Sequence, residues 1–80
     1  MKIETRTSYL VDGIIKHHQF TIKNIADKEA FFSNLMESAN ILAESKNGKI
    51  SFIKNDDYLY INYLDVPNDS LIDRIYIVKN

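Results

Sequence analysis

The sequence predicts an α+β fold: two layers, an antiparallel sheet of four to five strands with one long helix on one face, in the order β-β-α-β-β-(β). Three observations predict it. Two β-rich runs, 2–23 and 49–64, each carry a turn signal near the middle, and a third alternating run covers about 71–79. Between the first two lies one stretch, about 27–46, with apolar residues at helical spacing. Eighty residues make one domain, 1–80, near the lower end of what a single hydrophobic core holds together without help.

The first hairpin rests on Val11-Asp12-Gly13-Ile14. Asp-Gly suits a type I′ turn, where both central residues need positive φ. A two-residue loop pairs Val11 with Ile14 and sets every other pair: Ile3 with Ile22, Thr5 with Phe20, Thr7 with His18, Tyr9 with Lys16. That side, with Ile3, Phe20 and Ile22, reads as the core side. The other side pairs Leu10 with Ile15, Ser8 with His17 and Arg6 with Gln19.

Asp27 is a suitable N-cap for the helix, Glu29 suits its first turn, and Asn47-Gly48 is a C-terminal stop. Phe31, Phe32, Leu35, Met36, Ala39, Leu42 and Ala43 form one apolar stripe, and Ile41 falls on the polar side. The second hairpin turns through Asn55-Asp56-Asp57. With Asp56-Asp57 as its loop, Phe52 faces Ile61 and Ile50 faces Tyr63, while Ile53 and Tyr60 share the other side. Residues 65–70 read as a loop around Pro67. The last strand follows, with a helical turn over 69–74 as the alternative for its start.

A single helix buries one side of such a sheet. The other side then carries Leu10, Ile15, Ile53, Tyr58 and Tyr60, with Tyr76 and Val78 as further candidates. A contiguous apolar patch of that kind on a soluble chain marks a contact surface. The expected anchors are Leu10, Ile15, Ile53, Tyr58, Tyr60 and Tyr76. Asp56, Asp57, Asp65 and Asp69 form an acidic rim that would steer a basic partner.

Several function classes are disfavoured. The absence of cysteine removes disulfides, thiolate zinc sites and a cysteine nucleophile, and fits a reducing cytoplasm. The N-terminus alternates polar and apolar residues and does not read as a targeting segment. No apolar run approaches the roughly 20 residues of a membrane span. A net charge of −1 argues against a nucleic-acid partner, although Lys2, Arg6, Lys16, His17 and Lys23 give the first hairpin a mildly basic character. Adjacent strand residues point to opposite faces, so His17 and His18 do not converge on a metal. The aspartates of 55–73 lack the spacing of a calcium loop. Tyr58, Tyr60 and Tyr63, with Tyr9 and Tyr76 nearby in pattern, suit sheet packing or a protein contact better than base stacking, which needs a basic rim. Gly13 and Gly48 are isolated, so there is no phosphate loop, and one helix on one sheet leaves little room for an enclosed pocket.

The expected function is therefore that of a small non-catalytic protein-binding module with no cofactor, metal or small-molecule substrate. A structural homodimer with function elsewhere, or a nucleic-acid-binding accessory protein, are the alternatives. The richness in Ile, Asn and Lys suggests an AT-rich genome, a low-GC bacterium or its phage. With its size and β-β-α-β-β order, the chain resembles small phage-encoded inhibitors, anti-CRISPR proteins among them. That resemblance implies an inhibitor of a bacterial defence or regulatory complex, and it assigns no functional residue.

Overall fold

A computed structural model of the chain describes residues 1–65 and 70–79. Its elements are β1 (Lys2–Val11), β2 (Ile14–Ile22), α1 (Lys28–Ser45), β3 (Lys49–Lys54), β4 (Tyr58–Asp65) and β5 (Leu71–Lys79). Residues 66–69, including the expected rim residue Asp69, lie outside the described residues.

All five strands form one antiparallel sheet in the spatial order β2-β1-β5-β4-β3. Order across the sheet thus differs from the expected succession along the chain: the last strand occupies the centre, between the two hairpins. A helical turn does not form from Leu71 onward, because Leu71 already pairs with Tyr9 of β1.

The first hairpin has the expected register, from Ile3–Ile22 through Val11–Ile14. Its turn has Asp12 at φ 52° and Gly13 at φ 78°, the left-handed pair that a type I′ turn requires. In the second hairpin, Asn55 organises the loop. Its Oδ1 accepts from the backbone N–H of Asp57 (2.8 Å) and of Tyr58 (3.0 Å), an Asx turn that holds Asp56-Asp57 as the two-residue loop. Phe52 then faces Ile61, as expected. The expected Ile50–Tyr63 pair is altered. The register shifts between Lys49 and Ser51, which sets Ile50 alone against both Tyr63 and Leu64.

The helix starts on Asp27, whose side chain accepts from the Ala30 N–H at 3.1 Å. It ends where Asn47 adopts φ 53° and Gly48 N–H returns to the Ala43 carbonyl at 2.7 Å. Asparagine, not glycine, supplies the left-handed residue of this stop. Two charged contacts tie the first turn to the second hairpin. Lys28 Nζ donates to the Asp56 carbonyl (2.8 Å), and Lys54 Nζ donates to Glu29 Oε2 (2.7 Å). The Lys54 hydrogen bond and charge hold the Glu29 carboxyl below its ordinary value of 4.5. What this pair contributes is present above that value and lost as pH falls through the lower folded one.

Phe32, with Ile3, Leu59, Ile61, Tyr63, Tyr76 and Ala39, forms the buried cluster. Sheet pairing puts Ile3, Thr5, Thr7, Tyr76, Leu59 and Ile61 on one surface, here the inner surface. Phe31 meets Tyr76 edge-on with ring centroids 6.1 Å apart. Ala43 is also buried, and Phe31, Leu35, Met36 and Leu42 pack around the cluster, so the apolar stripe faces inward and Ile41 is exposed as expected.

Two expectations are corrected. Tyr76 is not on the bare surface. It pairs with Thr5 and Leu59, both inward, and is 4% exposed. Val78, opposite Ile3, also faces inward and packs against the core. Ile75 and Ile77 take the outer positions instead. Phe20 shares the inner surface with Ile3 and Ile22 yet is 46% exposed, because it lies on the edge strand β2 and outside the buried cluster.

Truncating Phe32 to Ala removes the largest fully buried side chain and is expected to cost about 3–5 kcal/mol, measured by urea denaturation. Replacing Gly13 with Ala meets no neighbour within 4 Å, so its cost, about 1 kcal/mol, is conformational alone. The same measurement checks it.

Candidate functional site

The outer surface is built from alternate residues of all five strands, and pairing lays them out in cross-strand rows. One row runs Ile53–Tyr60–Ile75–Arg6–Gln19, and its neighbour runs Tyr58–Ile77–Glu4–Thr21. Both rows are apolar on β4 and β5 and polar on β1 and β2, and the first begins with Ile53 of β3. The next row, Ser51–Asn62–Asp73–Ser8–His17, is polar throughout. Beyond it Leu10 pairs with Ile15 near the hairpin turn.

The expected anchors therefore fall into two groups. Ile53, Tyr58 and Tyr60 join Ile75 and Ile77 in one patch, with Ile53 58% exposed. Leu10 and Ile15 join Val11 and Ile14 in an aliphatic hairpin tip, each of the four more than a third exposed. The tip reaches past the start of β5, which pairs with β1 only as far as Tyr9. The polar row of Ser8, His17 and Asp73 divides the groups. The acidic rim is divided too: Asp56 and Asp57 sit at the β3–β4 turn, and Asp65 ends β4 at the opposite end of the sheet. About eight residues of strand, roughly 26 Å, separate them.

Ion pairs and hydrogen bonds fill the polar half. Glu4 Oε1 accepts from Gln19 Nε2 (2.6 Å) and pairs with Arg6 (3.2 Å), and Glu4 Oε2 pairs with Lys79 (3.5 Å). One carboxylate is thus shared by two cations, Arg6 of the hairpin and Lys79 of β5. Lys16 sits opposite Tyr9 on the inner surface, so the basic residues share no single stripe.

Tyr60 OH donates to Asp73 Oδ2 at 2.9 Å. Burial, and then the carboxylate that accepts its proton, push the Tyr60 phenol above its ordinary value of 10.0. Ser8 Oγ lies 3.0 Å from His17 Nδ1. The row places Ser8 between His17 and Asp73, whereas a nucleophile–base–acid relay requires the histidine in the middle. His17 and His18 diverge, His17 toward Ser8 and His18 against Phe20 with ring centroids 5.5 Å apart. Among the described residues, no three His, Asp or Glu side chains are grouped to hold a metal ion.

Two grooves go beyond what the sequence led us to expect. One, of about 440 Å³, lies on the outer surface along Arg6, Ser8, His17, Tyr60, Asp73 and Ile75. The other, of about 380 Å³, lies on the inner surface between α1 and the first hairpin. Both depend on strands distant in sequence becoming neighbours, and no local motif signals them. No helix among the described residues is long and apolar enough to cross a membrane. No protein family, curated protein or solved structure matches the chain.

The raised Tyr60 value has a defined pH consequence. Its contribution to stability is complete below about pH 10 and is lost as pH rises through the folded value. In Tyr60→Phe that alkaline loss is expected to shrink, as followed by urea unfolding between pH 8 and about 11. In Asp73→Asn the Tyr60 phenol is expected to titrate lower, though still above the ordinary value, because burial is the larger cause. Absorbance titration of the tyrosinate reads this directly.

Proposed function

We propose that this chain is a non-catalytic protein-binding module that engages a partner through its outer sheet surface and the tip of its first hairpin. The observation that carries this reading is the exposure of Leu10, Val11, Ile14 and Ile15 at the tip, with Ile53 exposed on the same sheet. Aliphatic groups left in water at a projecting turn gain by entering a partner's apolar pocket, at about 25 cal/mol per Å² removed from water. Tyr58 and Tyr60 add large rings with polar ends, the combination that suits a contact rim.

The β2 edge supports the same reading. Its nine residues, Ile14–Ile22, contain no proline and pair with β1 without a register shift. Such an edge accepts a further strand through main-chain hydrogen bonds. An inhibitor of a bacterial defence or regulatory complex is the most specific form of the proposal, since inhibition by occupancy needs a surface and no catalytic group. A structural homodimer is the second reading, favoured by the same open edge, with β2 meeting its own copy about a twofold axis. A nucleic-acid role draws less support, because the basic residues of the first hairpin share no single stripe: Arg6 faces outward and is paired with Glu4, and Lys16 lies opposite Tyr9 on the inner surface.

Light scattering across roughly a hundredfold concentration range separates partner binding from self-association. Under the leading reading, the chain stays monomeric and captures a partner from bacterial lysate. Leu10→Lys/Ile15→Lys, or Ile53→Lys/Tyr60→Ser, then abolishes capture while leaving the fold intact by circular dichroism. Capture undiminished in both folded double variants rejects the assignment of this surface.

A further inference from the structure

The inner-surface groove lies beside the flank of α1, where the helix leaves the first hairpin uncovered. Phe31 comes from the helix, and Phe20 and Ile22 come from β2. Arg74, Thr5 and Tyr76 also line it, on the central strands β5 and β1. An apolar cleft holding a few convergent polar groups is the usual form of a small-molecule site, and about 380 Å³ falls in the size range of such sites.

Arg74 decides what would occupy it. Its Nε donates to Thr7 Oγ1 at 2.9 Å, and its Nη1 lies 3.4 Å from the Tyr76 hydroxyl. Both partners are neutral oxygens, and among the described residues no Asp or Glu pairs with Arg74. Three of the five guanidinium N–H donors remain after these contacts. A half-buried guanidinium with fixed orientation and no counter-charge favours an anion, and its planar fork suits a carboxylate. Independently, Thr5 is 1% exposed, lines the same groove, and its Oγ1 has no hydrogen-bond partner. Buried hydroxyls without partners are costly, and a ligand oxygen at this position relieves the cost.

We propose that this groove binds a small organic acid with an apolar body. Its carboxylate is held by Arg74, with Thr5 as a further donor, and its body lies between Phe20 and Phe31. The groove lies on the surface opposite Ile53 and Tyr60 and shares no lining residue with the proposed contact anchors, so variants at one need not touch the other. An inorganic anion would use Arg74 but leave the aromatic walls empty, and a neutral aromatic would do the reverse.

The test is a titration of the ¹⁵N-labelled chain, followed by amide shifts, with phenylacetate, 2-phenylethanol and inorganic phosphate as probes. The expected result is saturable binding of phenylacetate, about millimolar or tighter, with shifts centred on Thr5, Phe20, Phe31, Arg74 and Tyr76. The neutral alcohol and phosphate are expected to bind at least about tenfold more weakly. Arg74→Gln is expected to weaken phenylacetate by a similar factor. Because Arg74 also braces Thr7 and Tyr76, two milder variants keep the test open. Thr5→Val is expected to hold or raise stability while weakening binding, and Phe20→Ser, at an exposed edge, to weaken binding without unfolding. Absence of saturable shifts with phenylacetate, equal binding of all three probes, or undiminished binding in both milder variants would overturn the proposal.

Discussion

The width of the sheet relative to its single helix governs most of what this chain presents to its surroundings. Five strands at about 4.8 Å spacing put the outer strand axes roughly 19 Å apart, while a helix with its side chains is about 10 Å across. Contrary to the expectation from the sequence, one helix does not bury the whole of one side of such a sheet. Here α1 is tied through Lys28 and Glu29 to the β3–β4 hairpin and packs Phe32 among Ile3, Leu59 and Ile61. The inner side of β2 is left out of the core, which exposes Phe20 and opens the groove beside Phe31.

Local features were legible in the sequence wherever a short-range constraint determined them. Asp12-Gly13 set the first hairpin pair by pair, because two positive-φ residues admit one loop and the loop sets the register. Asp27 and Asn47 bounded the helix for similarly local reasons. Facing in β5 was not legible. Its two sides, Ile75/Ile77 and Tyr76/Val78, are about equally apolar, and only pairing with both β1 and β4 decides that Tyr76 turns inward. Phe20 misled for a related reason: its pairing with Thr5 was correct, but burial depends on how far the helix reaches. Of the candidate site, the residues of the outer surface were largely readable. Their separation by Ser8, His17 and Asp73 was not, since it arises only when β5 lies beside β1.

That separation gives the outer surface a mixed character. The Glu4 network with Arg6, Gln19 and Lys79 makes one half of it polar, with one carboxylate shared by two cations, while Tyr60, Ile75 and Ile53 make the other half apolar. The hydrogen bond between Tyr60 and Asp73 lies on the boundary, and each group satisfies part of the other's demand there. A partner matching this surface would need an apolar centre beside a polar margin, a stricter requirement than a uniform patch imposes.

The central place of β5 has a consequence for how the chain reaches this structure. Each hairpin is a local unit, but β1 and β4 meet only through the segment Leu71–Lys79. Closing the sheet therefore joins residues as far apart as Lys2 and Lys79, a non-local contact whose loop-closure entropy falls late and slows folding. During synthesis, the two hairpins leave the ribosome before the strand that unites them. In that interval β1 and β4 each have a bare edge in addition to those of β2 and β3, four edges at which another strand can pair. Until β5 fills the gap, those edges are open to pairing with another chain, which makes arrival of the last strand the step that closes the route to misassembly.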